Sequence, residues 1–227
     1  MWITAAMWER LTEVTANFPG DARVYLAQIG PSAPSLAEAS ILSIGERTRA
    51  EVFELPFLRC RFMWRRILLR TVIATRLGCQ PDEVDLQSSS MGRPFVAGAE
   101  FDFSMSHSRD VALITVTSGC GRIGVDIEAV VAIPDQEQIA EIAFTTHEQS
   151  ELRRYDLSSE AFYRIWTCKE ACLKAIGTGF HLDPRAVDIG IVDLAAPTVR
   201  RAPRSSRLSL MCFEPTNGYT AALALRQ

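Results

Sequence analysis

Pro81-Asp82-Glu83-Val84-Asp85-Leu86 is answered by Pro184-Arg185-Ala186-Val187-Asp188-Ile189, the same P-x-x-V-D-aliphatic order, with an offset of 103 between positions 81 and 184. Each hexamer follows a helical pattern. Before the first, Phe57–Leu77 carries Phe62, Met63, Ile67, Leu68 and Val72 at helical intervals and stops at Gly78. Before the second, Phe162–Ile176 reads as a helix, with Gly177 and Gly179 as stop signals and Arg164 at the same offset from Arg61. After each hexamer comes a hairpin pattern. The first is Phe101–Val116 around His107-Ser108-Arg109-Asp110, and the second is Arg207–Leu225 around Pro215-Thr216-Asn217-Gly218. One matched hexamer is weak, but a matched order of helix, P-x-x-V-D, strand and hairpin predicts a duplicated α+β fold. The expectation is a pseudo-two-fold pair of similar halves, 1–118 and 119–227, joined near Ser118–Gly121 with a cleft between them.

The rest of the chain fits that frame. A further helix is expected at Ile44–Val52, and strands at Val84–Gln87, Val111–Val116 and Ile123–Glu128, with a turn at Met91-Gly92-Arg93-Pro94. At 227 residues, 48% hydrophobic and 22% charged, the composition is that of a soluble globular protein. A formal net charge of -3 gives no reason to expect nucleic-acid binding. No apolar run is long enough for a membrane span, and MWITAAMWER lacks the apolar core of a secretory signal, so a cytoplasmic protein is expected. The six cysteines form no C-x-x-C pair and are expected as reduced thiols, with Cys168 and Cys172 packing a helix. Arg59, Arg61, Arg65, Arg66, Arg70 and Arg76 fall in a stretch free of acids between Glu54 and Asp82. Such a run is either a solvated face or an anion site.

Three segments carry chemistry. In Gly124-Val125-Asp126-Ile127-Glu128, strand geometry sends Asp126 and Glu128 to one face and Val125 and Ile127 to the core. Neighbouring carboxylates raise each other's pKa unless a cation lies between them, and hard oxygen ligands suit Mg²⁺. Taken alone, a D-x-E pair is more often the wet face of a strand. In Trp166-Thr167-Cys168-Lys169-Glu170-Ala171-Cys172-Leu173-Lys174, residues 166, 170 and 174 lie along one side of a helix. Glu170 there is a candidate third metal carboxylate and Lys174 a candidate phosphate cation; the bland alternative is a surface ion pair. Gly177-Thr178-Gly179 then allows close backbone approach to a ligand, or merely caps the helix. In Ser104-Met105-Ser106-His107-Ser108, small hydroxyls and an imidazole offer donors to phosphate oxygens. A nucleophile elbow of the G-x-S-x-G kind is missing, which argues against a serine hydrolase.

Gly92-Arg93-Pro94, Phe103–Ser108, Gly124–Glu128 and Trp166-x-x-Lys169-Glu170-Ala171-x-x-Lys174-x-x-Gly177-x-Gly179 resemble, in order and spacing, the signatures of 4'-phosphopantetheinyl transferases. The likeness spans about Glu46 to Asp188 and is to the larger, surfactin-synthetase-activator (Sfp) type, whose single chain holds two similar α+β halves around a coenzyme A cleft. Arg93 stands where that family commonly has lysine.

The resemblance implies Mg²⁺, or Mn²⁺, held by Asp126, Glu128 and Glu170 against the pyrophosphate of coenzyme A. It implies Glu170 as base, Lys174 and Asp126 as its catalytic companions, and Arg61, Arg93, Ser106, His107 and Lys174 as coenzyme A contacts. Arg47 and Arg49 sit where the family places basic residues for the 3'-phosphate, and the segment Val131–Glu151, with Phe144 and Glu148, lies where relatives meet their carrier. The implied partner is an apo acyl or peptidyl carrier protein. A chain with both halves needs no second copy to complete its cleft, so a monomer is expected. Two other readings of the acidic residues stay open: a metal-dependent phosphohydrolase or nucleotidyl transferase, and a non-catalytic module that binds coenzyme A or a carrier.

Overall fold

A computed structural model of the chain describes residues 5–14, 16–118, 121–177, 182–203 and 207–227. The first part comprises α1 (Ala5–Trp8), β1 (Leu11–Val14), β2 (Arg23–Gln28), α2 (Leu36–Ala39), α3 (Ile44–Glu51), α4 (Pro56–Leu77), β3 (Leu86–Ser88), β4 (Pro94–Val96), β5 (Asp102–Ser108) and β6 (Val111–Thr117). The second comprises β7 (Arg122–Ala129), α5 (Gln136–Ala143), α6 (Thr146–Arg154), α7 (Ser159–Ile176), β8 (Asp188–Gly190), β9 (Thr198–Arg201), β10 (Leu208–Phe213) and β11 (Tyr219–Arg226). No helix among the described residues is long and apolar enough to cross a membrane.

The two long helices end where the sequence says they should. Pro56 starts α4, and Gly78 closes it in the left-handed region at φ 71°. Ser158 caps α7 by accepting from the Ala161 N–H, and Gly177 closes it at φ 86°. Both P-x-x-V-D segments become short 3-10 turns, Pro81–Glu83 and Pro184–Ala186, whose following valines, Val84 and Val187, are buried. Because Val84 turns into the core after the first of these, the expected Val84–Gln87 strand begins two residues later, at Leu86.

The element order repeats. A strand (β2 or β7) is followed by helices ending in the long one (α4 or α7), a 3-10 turn, a small ribbon (β3–β4 or β8–β9) and a hairpin (β5–β6 or β10–β11). The hairpin returns to pair with the opening strand, giving antiparallel sheets β1-β2-β6-β5 and β10-β11-β7. Strands β1 and β2 had no counterpart in the sequence reading. The buried run Val24-Tyr25-Leu26-Ala27 has no alternation to mark it as a strand, since both faces of β2 are covered.

One core lies under α4 and another under α7. A third joins the sheets, where Val24, Leu26, Val111 and Leu113 meet Val125, Ile127, Leu223 and Leu225. Val125 and Ile127 therefore face the core, as strand alternation requires. Asp126 pairs across with Ala222, and Gly124 with Ala224, on the opposite face, which α7 covers. Cys168 and Cys172 are buried within that helix packing, and the five described cysteines are free thiols.

Candidate active site

Gly124 is what lets α7 lie on β7. A Cβ there would stand 2.1 Å from the Ala171 carbonyl oxygen and 2.5 Å from the Ala175 nitrogen, closer than any side-chain contact allows. With hydrogen in that place the helix backbone crosses directly over the strand. Glu170 and Lys174 are thereby brought down beside Asp126.

The acidic group is buried and under-compensated. Asp126 is 3% exposed and Glu170 8% exposed. Lys174 Nζ donates to Asp126 Oδ1 at 2.7 Å and to the Val125 carbonyl at 3.0 Å, while Asp126 Oδ2 is buried with no hydrogen-bond partner among the described residues. Burial, then the charge of Asp126, pushes Glu128 above the usual carboxylate range. Burial first, with Asp126 and Glu128 adding and Lys174 opposing, pushes Glu170 up to about 7. Among the described residues no three His, Cys, Asp or Glu side chains stand ready at metal-binding distance. The donor set nevertheless fits a hard divalent cation: Asp126 adds to the burial that raises Glu128 and Glu170, and its own buried Oδ2 has no donor among the described residues.

The serines do something the sequence reading did not foresee. Strand β5 runs beside β7, and alternate β5 side chains reach across in place of backbone hydrogen bonds. Asp102 Oδ2 accepts from the Ile123 N–H at 2.8 Å, Ser104 Oγ from Val125 at 3.2 Å, and Ser108 Oγ from Ala129 at 3.1 Å. Ser106 Oγ donates to Asp126 Oδ1 at 2.7 Å, and Ser108 Oγ to Glu128 Oε2 at 2.8 Å. The serine run is thus a seam between the two sheets that also orients both strand carboxylates. Ser106, expected at a coenzyme A phosphate, directs its hydroxyl proton to Asp126 in this structure. The alternation at every second residue was the available signal for such a seam.

Arg93, expected as a coenzyme A contact, is held by the fold in a similar way. Its Nη1 donates to the Lys174 carbonyl at 2.5 Å, and its Nη2 to Asp102 Oδ2 at 2.6 Å, Phe103 O at 3.1 Å and Ile123 O at 2.8 Å. It lines a cavity of about 370 Å³, yet its donors are committed to β5, β7 and the end of α7. A planar guanidinium can hold such divergent acceptors together and a lysine cannot. Lys169, beside Glu170 in the motif, is likewise structural: its Nζ lies 2.8 and 2.7 Å from the Glu148 carboxylate oxygens and 2.6 Å from the Val187 carbonyl. Glu148 and Phe144, expected where a carrier docks, are both fully buried and offer no surface to a partner.

The arginine run finds its counter-ions outside itself. Arg61 pairs with Asp110 at 2.8 Å, and Arg66 and Arg70 share Glu46 at 2.5 and 2.7 Å. Arg47 and Arg49 are exposed on α3, two residues apart and so on different faces, and neither lines the cavity. Arg65 and Arg66 do line it, with Phe62, Met91, Pro94, Phe103, Met105 and Lys174. His107 sits beside Arg65, which donates from Nη1 to its Nε2. Desolvation and the nearby charges of Arg65, Lys174 and Arg61 hold this imidazole down to about 4. Thr178 and Gly179 lie outside the described residues.

Residues 122–224 match the 4'-phosphopantetheinyl transferase superfamily. The 4'-phosphopantetheinyl transferase HetI of Nostoc is 33% identical over 82% of this chain and 79% of its own length. A phosphopantetheinyl transferase of Thraustochytrium is 33% identical over 71% of this chain. The human L-aminoadipate-semialdehyde dehydrogenase-phosphopantetheinyl transferase is 28% identical over 70% of it. The chain spans 62% and 60% of these last two relatives. A holo-(acyl-carrier-protein) synthase structure from Bacillus anthracis overlays 46% of this chain and 94% of its own, at TM-score 0.39 and 19% identity. The chain belongs to the 4'-phosphopantetheinyl transferase family.

Proposed function

We propose that the cleft between β5 and α7 moves the 4'-phosphopantetheine group of coenzyme A to a serine hydroxyl of an apo carrier protein, with Asp126, Glu128 and Glu170 as the metal-holding set. Family membership supports the reaction class. The single observation that supports the site is the buried convergence of Asp126 and Glu128 on β7 with Glu170 and Lys174 on α7. The repeated element order supports assignment to the two-half, single-chain Sfp group, with halves 1–118 and 119–227.

Mg²⁺ or Mn²⁺ held by the three carboxylates would neutralise phosphate charge and make the phosphorus more electrophilic. Glu170, poised near neutrality, accepts the proton of the carrier serine, directly or through one water. The serine oxygen then bonds to the β-phosphorus, and the bond from that phosphorus to the oxygen shared with the α-phosphate breaks. Phosphopantetheinyl-serine forms and adenosine 3',5'-bisphosphate leaves. Lys174, released from Asp126, stabilises the phosphate charge. The apolar walls Phe62, Met91, Phe103 and Met105 suit the adenine ring.

The test is mass spectrometry of apo carrier proteins incubated with coenzyme A, Mg²⁺ and the protein. A gain of one phosphopantetheine is expected, and Asp126→Ala should abolish it. Release of phosphate or nucleotide without any acceptor would favour a hydrolase, and tight coenzyme A binding without turnover a binding module.

A further inference from the structure

Three cysteines gather where α7 lies on β10, and none of them lines the cavity. Cys168 and Cys172 stand one turn apart on α7 and are fully buried, while Cys212 on β10 is half-buried. The Sγ atoms of Cys168 and Cys212 are 3.0 Å apart, across 44 positions of chain. Arg164, one turn before Cys168 on the same helix, reaches the same spot. Its Nε is buried with no hydrogen-bond partner among the described residues. Hydrogen bonding with Cys168, joined by the charge of Arg164 and a hydrogen bond to it, outweighs burial and holds the Cys212 thiol below its usual range. A cation beside a partly exposed sulfur is the setting of a reactive cysteine, whereas a packing cysteine sits in apolar surroundings.

We propose that Cys168 and Cys212 form a redox site, which a hydroperoxide closes into a reversible disulfide stapling α7 to β10, with Cys212 as the attacking sulfur and Arg164 its activator. The Cys212 sulfur attacks the terminal peroxide oxygen and the O–O bond breaks. The leaving oxygen takes a proton and departs as an alcohol, or as water from hydrogen peroxide, and Cys212 becomes a sulfenic acid. Cys168 sulfur then bonds to Cys212 sulfur, and the sulfenic hydroxyl leaves with the Cys168 proton as water. One peroxide is reduced and two thiols are oxidised, so the electrons balance. A small oxidant suits a half-buried sulfur. The bond requires the sulfurs to approach by about 1 Å, from 3.0 Å to the length of a disulfide. Helix α7 cannot supply that movement freely, because its backbone lies directly on β7 at Gly124. Strand β10 can, since it is the edge of its sheet and half-buried along its whole length. The staple therefore stiffens the second half while Glu170 and Lys174 keep their places.

The experiment exposes the full chain to hydrogen peroxide, blocks the remaining thiols with iodoacetamide and maps tryptic peptides by mass. Cleavage after Lys169 separates Cys168 from Cys172, so the expected product is peptide 165–169 linked to peptide 208–226. Dithiothreitol should release it. A bridge closing a loop of this length should raise the melting point by roughly 4 to 16 °C, and Cys212→Ser should show neither the link nor the rise. Arg164→Gln should slow linking about tenfold, the thiolate lost for one pKa unit, and Arg164→Lys should recover part of the rate. Linking and melting are read without any carrier protein, so they stand or fall apart from the transferase reading. No link, a bridge through Cys172, or Cys212 oxidised to the sulfinic acid with Cys168 still free would overturn the proposal. An unchanged rate in Arg164→Gln would remove the activator, and transfer lost on oxidation and restored by dithiothreitol would show that α7 moves and β10 does not.

Discussion

Replacing Lys169 by methionine separates a motif lysine that does chemistry from one that holds the fold. Lys169 and Glu148 are 2% and 0% exposed, and the ammonium touches both carboxylate oxygens and the Val187 carbonyl. Glu148 also accepts from the Thr145 and Ile189 amides, both at 2.7 Å, so the pair ties α6, α7 and β8 at one point. Burial pushes Glu148 up and Lys169 down, against their mutual attraction. Methionine fills a similar volume but leaves a buried carboxylate with two amides and no cation. Breaking such a pair from one side costs about 3 to 5 kcal/mol. For a chain of this size each kcal/mol shifts the melting point by about 2 to 4 °C, so a fall of roughly 6 to 20 °C is expected. Glu148 can then relieve itself by taking a proton. With its folded pKa above the unfolded one, the deficit should shrink as pH falls toward the ordinary carboxylate range. Adding Glu148→Gln should restore much of the loss at neutral pH. Thermal unfolding by circular dichroism across pH reads all three effects. Transfer measured well below the melting point should survive within severalfold. Normal stability with transfer abolished would refute this account and make Lys169 a phosphate ligand.

Three further outcomes are expected. Gly124→Ala forces α7 to lift by about 1 Å against backbone atoms; a loss near the upper end of the 1–3 kcal/mol overpacking range and at least a tenfold drop in transfer should follow, and an unchanged melting point would show that the helix does not lie on the strand. Arg93→Lys keeps the charge but cannot reach four acceptors, so a loss of about 1 to 3 kcal/mol is expected; intact stability with a raised KM for coenzyme A would return Arg93 to the phosphate. Glu170, raised to about 7, makes a stabilising contribution that is present at low pH and lost as pH rises through about 7, so Mg²⁺ should raise the melting point more at pH 8 than at pH 5.5; equal shifts at both would remove Glu170 from the metal set.

Much of this architecture was legible before any coordinates. Period-3.6 apolar spacing and terminal glycines located α4 and α7, and the returning P-x-x-V-D segment announced the repeated element order. Two-residue alternation was enough to send Asp126 and Glu128 to one face of β7 and Val125 and Ile127 to the other. These are local properties, since backbone period and side-chain direction follow from neighbours along the chain. The β1–β2 pair was not legible, because β1 has only four residues and β2 is buried along its middle on both faces, so neither shows a clear alternation; α6, by contrast, carried a readable signal in the capping box of Thr145 and Glu148.

The roles of individual polar residues were decided elsewhere. Whether Arg61, Arg66 and Arg70 bind a ligand or a carboxylate depended on Asp110 and Glu46, which lie outside their run. Whether Ser106 and Ser108 face a phosphate or a strand depended on β5 running beside β7, a long-range contact with no trace in composition. Lys169 and Lys174 are five residues apart on one helix, yet one is sealed against Glu148 and the other opens on the cavity. A charge has no role until its partner is known. Chain order established the strand, the helix and the carboxylates they carry; tertiary packing chose which cations were matched, pairing Arg61 with Asp110, Arg66 and Arg70 with Glu46, Arg93 with Asp102 and Lys174 with Asp126.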